Sequence, residues 1–277
     1  MIITGTPLAP VGAEITDVDV ETLLHGDSIA AELLNLLEQR GVLVFPGLGL
    51  DDVQQVALAR RLGAPVMRGT PGHSGEHPEI FKVSLDPKLN SSAYMKATFL
   101  WHIDGMTLDI PMKASLLTGR VLPDGGSETQ FASTYSVYDQ LSDEEKEWFG
   151  GLKVWHSVEA AHRRMDADPA PDVLQQLRRD PVRLHPLVWT HHTGRKSLVI
   201  GTTAYEIEGL PADEGAALLD DLLDRATDPS QVYRHVWNVG DLVIWDNRGV
   251  LHRAVPYEED SGREMHRVTL LGDEPIT

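Results

Sequence analysis

Three side chains in this sequence could share one metal ion. His102 and Asp104 stand two apart in Trp101-His102-Ile103-Asp104-Gly105. On an extended strand, residues i and i+2 point to the same face, so this imidazole and carboxylate could reach a common ion. A histidine from a distant strand would complete the two-imidazole, one-carboxylate set that occupies one face of ferrous iron and leaves adjacent positions open for a bidentate co-substrate and for dioxygen. His252 offers that ligand. It follows Gly240 to Arg248, which reads as a strand and a polar turn, and is expected at a strand terminus. Arg263 and Arg267 come next, and a guanidinium fork suits the bidentate grip of a carboxylate. The chain has no cysteine, so thiolate catalysis, disulfides, zinc ribbons and iron–sulfur ligation are excluded, and any metal must be held by His, Asp or Glu.

The elements that must position these residues fit one domain over 1–277, since no repeat, biased tract or linker divides the sequence. Apolar residues at 42% and charged residues at 24% are the balance of a soluble globular protein with a real core. Helices are expected over 28–40, with Ser28 as cap and Gly41 as terminator, over 51–62, and over 211–226. A buried strand is expected at 42–45. Short β-rich segments bounded by Gly, Pro, Asn or Asp follow at 80–85, 114–120, 184–190, 197–200 and 241–245. Two early helices and then scattered strands do not make the regular alternation of a parallel α/β fold. The expected architecture is mainly β, a double-stranded β-helix or jelly roll of cupin type, with flanking helices.

Charge narrows the partners. Acidic residues outnumber basic ones by 42 to 24, a formal net charge of −18, which should repel nucleic acid and anionic membranes. Arginines converging in one cleft could still select a small anion. The N-terminus lacks the basic and apolar regions of a secretory signal, and no apolar run approaches the roughly 20 residues that span a bilayer. The expectation is a cytoplasmic protein acting on a small molecule, with no nucleic-acid or membrane partner.

Across nearly its whole length the chain resembles the taurine dioxygenase and 2,4-D dioxygenase (TauD/TfdA) family of iron(II)- and 2-oxoglutarate-dependent oxygenases. The resemblance is carried, in the family's order and spacing, by WHID at 101–104, GGSET at 125–129, LHPLV at 184–188, GDLVIWDNRGVLHRA at 240–254 and REMHRVTLLGDEP at 263–275. It implies that His102, Asp104 and His252 bind Fe(II), that Arg263 pairs with the distal carboxylate of 2-oxoglutarate, and that Thr129 is its hydroxyl partner. Arg267 matches a position that binds the substrate anion in the taurine enzyme and contacts 2-oxoglutarate in other members. The implied reaction consumes O2, yields succinate and carbon dioxide, and hydroxylates the substrate. Because Asp104 is present where related halogenases carry a small residue, hydroxylation is implied rather than halogenation, with cleavage where the oxidised carbon bears a heteroatom. The segment 67–75 and the stretch Gly-Thr-Thr-Ala-Tyr at 201–205 depart from the taurine enzyme, so taurine is not the expected substrate. The resemblance leaves a homodimer or homotetramer open.

Further residues are assigned by position. Tyr205 and His156, with Arg267, are candidates for substrate contact; Val83 and Leu85 are candidate pocket walls, and Met106 and Leu108 a candidate mobile lid. Composition at 69–75 and 86–92 suggests mobility. His191 and His192 are adjacent and would face opposite sides of a strand, so they read as a turn before Gly194 rather than a metal pair. The acidic run 143–147 reads as a solvated first helical turn. Two other classes share the metal ligands or the fold: a metal-dependent hydrolase and a non-catalytic jelly-roll binding protein. The hydrolase needs no keto-acid arginine, and a binding protein would tolerate loss of a ligand, whereas all three candidate ligands are present.

Overall fold

Val42–Phe45 is an unbroken apolar tetrad with all four residues buried, the pattern of a strand covered on both faces. It pairs antiparallel with Leu242–Asp246, which pairs in turn with Ala114–Val121. Glu264–Leu270 and Ile80–Val83 extend the sheet on one side, and the short strands Ala13–Glu14 and Thr6–Pro7 on the other, giving seven strands. The computed structural model describes residues 3–67, 76–90, 92–123 and 127–277, without the side chains of 92–94. A second sheet sets Glu128–Ser133 between Val232–Val236 and Val250–Ala254, all antiparallel.

Alternation along each strand sends successive side chains to opposite faces. Val42, Val44, Leu117, Val243, Trp245 and Met265 of the large sheet meet Phe131 and Val250 of the small one, with Trp237, in a buried layer between the two. The other face of the large sheet, with Leu43, Leu116, Ile244 and Val268, packs on helices Ile29–Arg40 and Asp52–Leu62. Behind the small sheet, Ala132 and Leu251 pack with Leu219 and Leu222 of helix Ala212–Thr227. Two facing sheets clad in helices form the distorted jelly roll expected from the sequence. No helix among the described residues is long and apolar enough to cross a membrane.

Local chemistry sets the boundaries and corrects some of them. Asp51 accepts from Gln54 N at 2.8 Å while Gln54 accepts from Asp51 N at 3.0 Å, a capping box that starts the second of these helices. Ser142 and Glu145 do the same for Asp143–Phe149, the solvated turn read from its acidic run. Ser28 does not cap its helix. Its backbone is already helical, with φ −89° and ψ −12°, and its hydroxyl turns to Glu32 Oε1. The 184–190 segment divides into Arg183–Pro186, which pairs with Lys153–His156, and Val188–Thr190, which pairs with Lys196–Leu198 in a separate sheet. The strand expected at 197–200 is Lys196–Leu198.

Gly249 launches the His252 strand, and a Cβ there would lie 2.3 Å from Tyr135 Cε2. The tyrosine cannot easily yield: its hydroxyl donates to Asp246 Oδ2 at 3.0 Å, and the Arg195 guanidinium lies 4.0 Å from its ring centroid. Gly249→Ala is expected to lower unfolding free energy by about 1–3 kcal/mol, the usual cost of overpacking, measured from urea denaturation. A loss below about 0.5 kcal/mol would contradict this packing.

Candidate metal centre

His102 and His252 are remote in sequence but exchange backbone hydrogen bonds, His102 N to His252 O at 3.1 Å and His252 N to His102 O at 2.9 Å. Their rings stand 4.1 Å apart. Asp104 completes the group, with Oδ1 4.0 Å from His102 Nε2 and Oδ2 3.8 Å from His252 Nε2. One ligand atom from each residue lies within 4.8 Å of the other two.

The extended strand expected at 101–104 is corrected here. His102 makes only an isolated bridge, and Asp104 opens a turn through Gly105, whose φ of 89° suits glycine. A Cβ at Gly105 would also meet Met112 N at 2.8 Å. The turn begins at Asp104 and runs on through Gly105, so both ligands stand at or before its start. His252 is likewise not at a strand end. The polar turn closes by Gly249, so the strand resumes at Val250 and His252 sits at its centre.

Each group is held in the state a metal needs. His102 Nδ1 lies 2.7 Å from the Leu100 carbonyl, which can only accept, so Nδ1 carries the proton and Nε2 presents its lone pair. Burial pushes the His102 pKa down, assisted by Arg267 and opposed by Asp104. Burial and His102 push that of His252 well below the ordinary value. Desolvation works against the charge on Asp104, but Arg267, then His252, His102 and the Ser115 hydroxyl, hold its pKa well below the usual carboxylate range. Two neutral imidazoles and a carboxylate suit a divalent first-row ion. The fit has a sign in His252: both of its ring nitrogens are buried with no hydrogen-bond partner among the described residues, and Nε2 is the one that faces Asp104.

Arg263 is 2% exposed. Its Nε donates to Ser127 Oγ at 2.6 Å and its guanidinium lies 4.5 Å from the Tyr257 ring centroid, while Nη1 is buried with no hydrogen-bond partner among the described residues. Burial pulls its pKa down, yet arginine stays charged. Thr129, on the strand that begins just after Ser127, accepts from Trp237 Nε1 at 2.9 Å, so its own hydroxyl proton remains to be given. Arg267 Nη1 donates to Asp104 Oδ2 at 3.3 Å, and its guanidinium lies 5.2 Å from the Phe81 ring centroid.

Other expected site residues are placed differently. His156 is fully buried, with Nδ1 2.9 Å from Thr203 Oγ1 and its ring 5.6 Å from that of His185. Tyr205 is 38% exposed on Ala204–Ile207, the strand that pairs with that of His156. Met106 is no lid. It is 2% exposed, and its carbonyl accepts from His185 Nε2 at 3.0 Å, which fixes it in the core. Leu85 packs with Phe81 and Met95. Residues 68–75 of the departing segment and Gly125 and Gly126 of GGSET lie outside the described residues. Sequence reasoning passed over Ser115, Ser127, Trp237, Asn247 and Arg253; the last lays its guanidinium 4.7 Å from the Trp101 ring centroid, beside both histidines in sequence. Of these, Ser127 lies in the GGSET stretch and Asn247 and Arg253 in the 240–254 stretch that carry the resemblance, whereas Ser115 and Trp237 had no such signal.

A family profile described as "Taurine catabolism dioxygenase TauD, TfdA family" matches residues 4–269. The chain belongs to this family. It is 36% identical to an alpha-ketoglutarate-dependent 2,4-dichlorophenoxyacetate dioxygenase of Cupriavidus pinatubonensis, over 99% of each chain. It is 34% identical to an (S)-phenoxypropionate/alpha-ketoglutarate-dioxygenase of Sphingobium herbicidovorans, over 96% of this chain and 93% of the relative. Among solved structures it is similar to that of AAD-2 in complex with Mn(II) and N-oxalylglycine, with a TM-score of 0.83, 30% identity and 99% of each chain covered.

In this TauD/TfdA member His156 sets a pH dependence of folding. Burial, and the neighbouring His185, push its pKa down to about 3, against an ordinary 6.5. The unfolded chain therefore binds this proton between about pH 6.5 and 3 while the folded one does not, so stability falls as pH falls through that window. From pH 7 to 5 the residue should account for about 2 kcal/mol of lost stability. His156→Gln should remove that share of the pH dependence in urea unfolding at the two pH values; an unchanged slope would contradict the buried neutral imidazole.

Proposed function

We propose that the chain, as one catalytic domain, hydroxylates a small anionic organic molecule, releasing part of it where the oxidised carbon bears oxygen, nitrogen or sulfur. As a TauD/TfdA family member it is a 2-oxoglutarate-dependent dioxygenase that uses Fe(II), 2-oxoglutarate and O2. The observation that carries the reading is a pair of unsatisfied buried atoms, His252 Nε2 and Arg263 Nη1, which suit a metal ion and a carboxylate respectively.

His102 Nε2, Asp104 and His252 Nε2 would hold the iron. Ferrous iron chelated by the keto acid supplies, when bound, the activation of dioxygen by which a substrate C–H bond is oxidised and 2-oxoglutarate becomes succinate and carbon dioxide. The chain's own work is binding and orientation. Arg263, pinned by Ser127, presents Nη1 to the distal carboxylate of 2-oxoglutarate, and Thr129, its oxygen engaged by Trp237, donates its hydroxyl proton to the same group. Those two anchors fix the far end of the co-substrate, so its keto end is aimed at the triad. The triad side chains keep 15, 19 and 6% of their surface for His102, Asp104 and His252, which leaves one side open to small molecules while the sheets exclude bulk water elsewhere.

Arg267 supports the anionic substrate. It places a fixed positive charge against Asp104 at the wall of the site in a protein of net charge −18, so an anion gains there what it loses at the rest of the surface. The relatives named for phenoxy acids handle anions of this size, and Tyr205 and His156 remain candidate contacts by position.

Arg263→Gln should raise the KM for 2-oxoglutarate by roughly ten- to hundred-fold, the loss of a charge-assisted pair worth about 1.5–3 kcal/mol, measured by succinate release. Succinate release should be stimulated by at least one member of a set of aryloxyacetates, alkyl sulfates and alkyl sulfonates, and not by the matching neutral alcohols. An unchanged KM would contradict the role of Arg263, and stimulation by the alcohols alone would contradict the anionic substrate.

A further inference from the structure

A buried chain of hydrogen bonds leads from the large sheet to Asp104. Trp245 Nε1 donates to Asn247 Oδ1 at 2.8 Å, Asn247 Nδ2 donates to Ser115 Oγ at 3.0 Å, and Ser115 Oγ lies 3.3 Å from Asp104 Oδ2. Trp245, Asn247 and Ser115 are 1%, 0% and 0% exposed, so water does not compete. At the other end the Trp245 ring stands 4.7 Å from the His252 ring.

The direction of this chain is forced. An indole N–H can only donate, so Asn247 must turn its carbonyl oxygen to Trp245 and its amide nitrogen to Ser115. Ser115 then accepts from Asn247 and keeps one proton to give. Thr269 Oγ1, also 3.3 Å away, can donate to the second lone pair of Ser115, which leaves Asp104 Oδ2 as the acceptor. Arg267 Nη1 donates to that same oxygen. Both donors thus fall on Oδ2, and Oδ1, on the His102 side, is the oxygen left for a metal.

We infer that Trp245, Asn247 and Ser115 act as positioning residues for the metal: they orient Asp104 to bind through Oδ1 and tie that orientation to the ring of His252. The inference rests on the reading of His102, Asp104 and His252 as ligands. It assigns a use to the Trp-x-Asn spacing at 245–247, whose three buried polar contacts the fold alone does not require.

The test is Mn(II) affinity of the whole protein by calorimetry, beside the urea midpoint of each apoprotein, for wild type, Ser115→Ala, Ser115→Thr and Trp245→Phe. Ser115→Ala should bind Mn(II) about ten- to hundred-fold more weakly, the usual effect of losing a group that orients a metal ligand, and Ser115→Thr should restore binding by returning the hydroxyl. A purely packing role would lower the urea midpoint yet leave affinity within about twofold, and that result overturns the inference. So does a folded Ser115→Thr that binds as weakly as Ser115→Ala. Should Ser115→Ala not fold, Trp245→Phe decides, since it keeps an aromatic ring on the strand beside His252 while the N–H is lost with the smaller side chain: weaker Mn(II) binding by a variant whose urea midpoint shows it folded supports the inference, and unchanged binding overturns it. Wild-type protein that binds no Mn(II) would instead sink the reading of the three ligands.

Discussion

Two backbone hydrogen bonds between His102 and His252 join the segment that leads into Ala114–Val121 of the large sheet to the centre of a strand in the small sheet. The site depends on them, because each imidazole is presented by a backbone that the other holds. The second strand is itself positioned by Gly249, whose lack of a side chain lets Tyr135 close over the turn, and by its ladder with Glu128–Ser133, which carries Thr129 and directly follows Ser127. One strand ladder therefore sets both the histidine and the grip on Arg263.

Burial makes those contacts consequential. In a low-dielectric layer between two sheets, an unpaired polar atom is costly, and most buried groups find partners. His252 Nε2 and Arg263 Nη1 are exceptions, and the surrounding charges are arranged so that each is left poised rather than neutralised. Arg267 keeps Asp104 ionised, the Leu100 carbonyl sets the His102 tautomer, and Ser127 holds Arg263 without occupying its outer nitrogen. The stability such atoms forgo is the condition for binding an ion and a carboxylate together.

Much of this was legible in the residues. The His-x-Asp pair, a later histidine after a strand and two following arginines could be read from type and order, and the helices found at 29–40, 52–62 and 212–227 lie within a residue of those read from apolar spacing and, for the second, from its acidic first turn and the glycine beyond its end. The end of the ladder at His102 was not legible, because a His-x-Asp pair reads the same whether its strand runs on or stops at a single bridge before the turn through Gly105. Ser127 was visible only as part of the GGSET stretch, with no role attached, and Ser115 and Trp237 carried no signal at all. Each is an ordinary strand-compatible residue whose role arises only when strands distant in sequence are laid side by side. Met106 read as a lid because it follows a ligand; only His185, contributed from another sheet, shows why it is fixed.

The central claim is that the three ligands and Arg263 together build one chelate site. Its most direct test is anaerobic addition of ferrous iron and then 2-oxoglutarate to metal-free protein, following the weak visible charge-transfer absorption of a keto acid chelated to iron(II), in wild type and in His252→Ala. The account predicts absorption in wild type and its loss in the variant. Folded wild-type protein that shows none would contradict it.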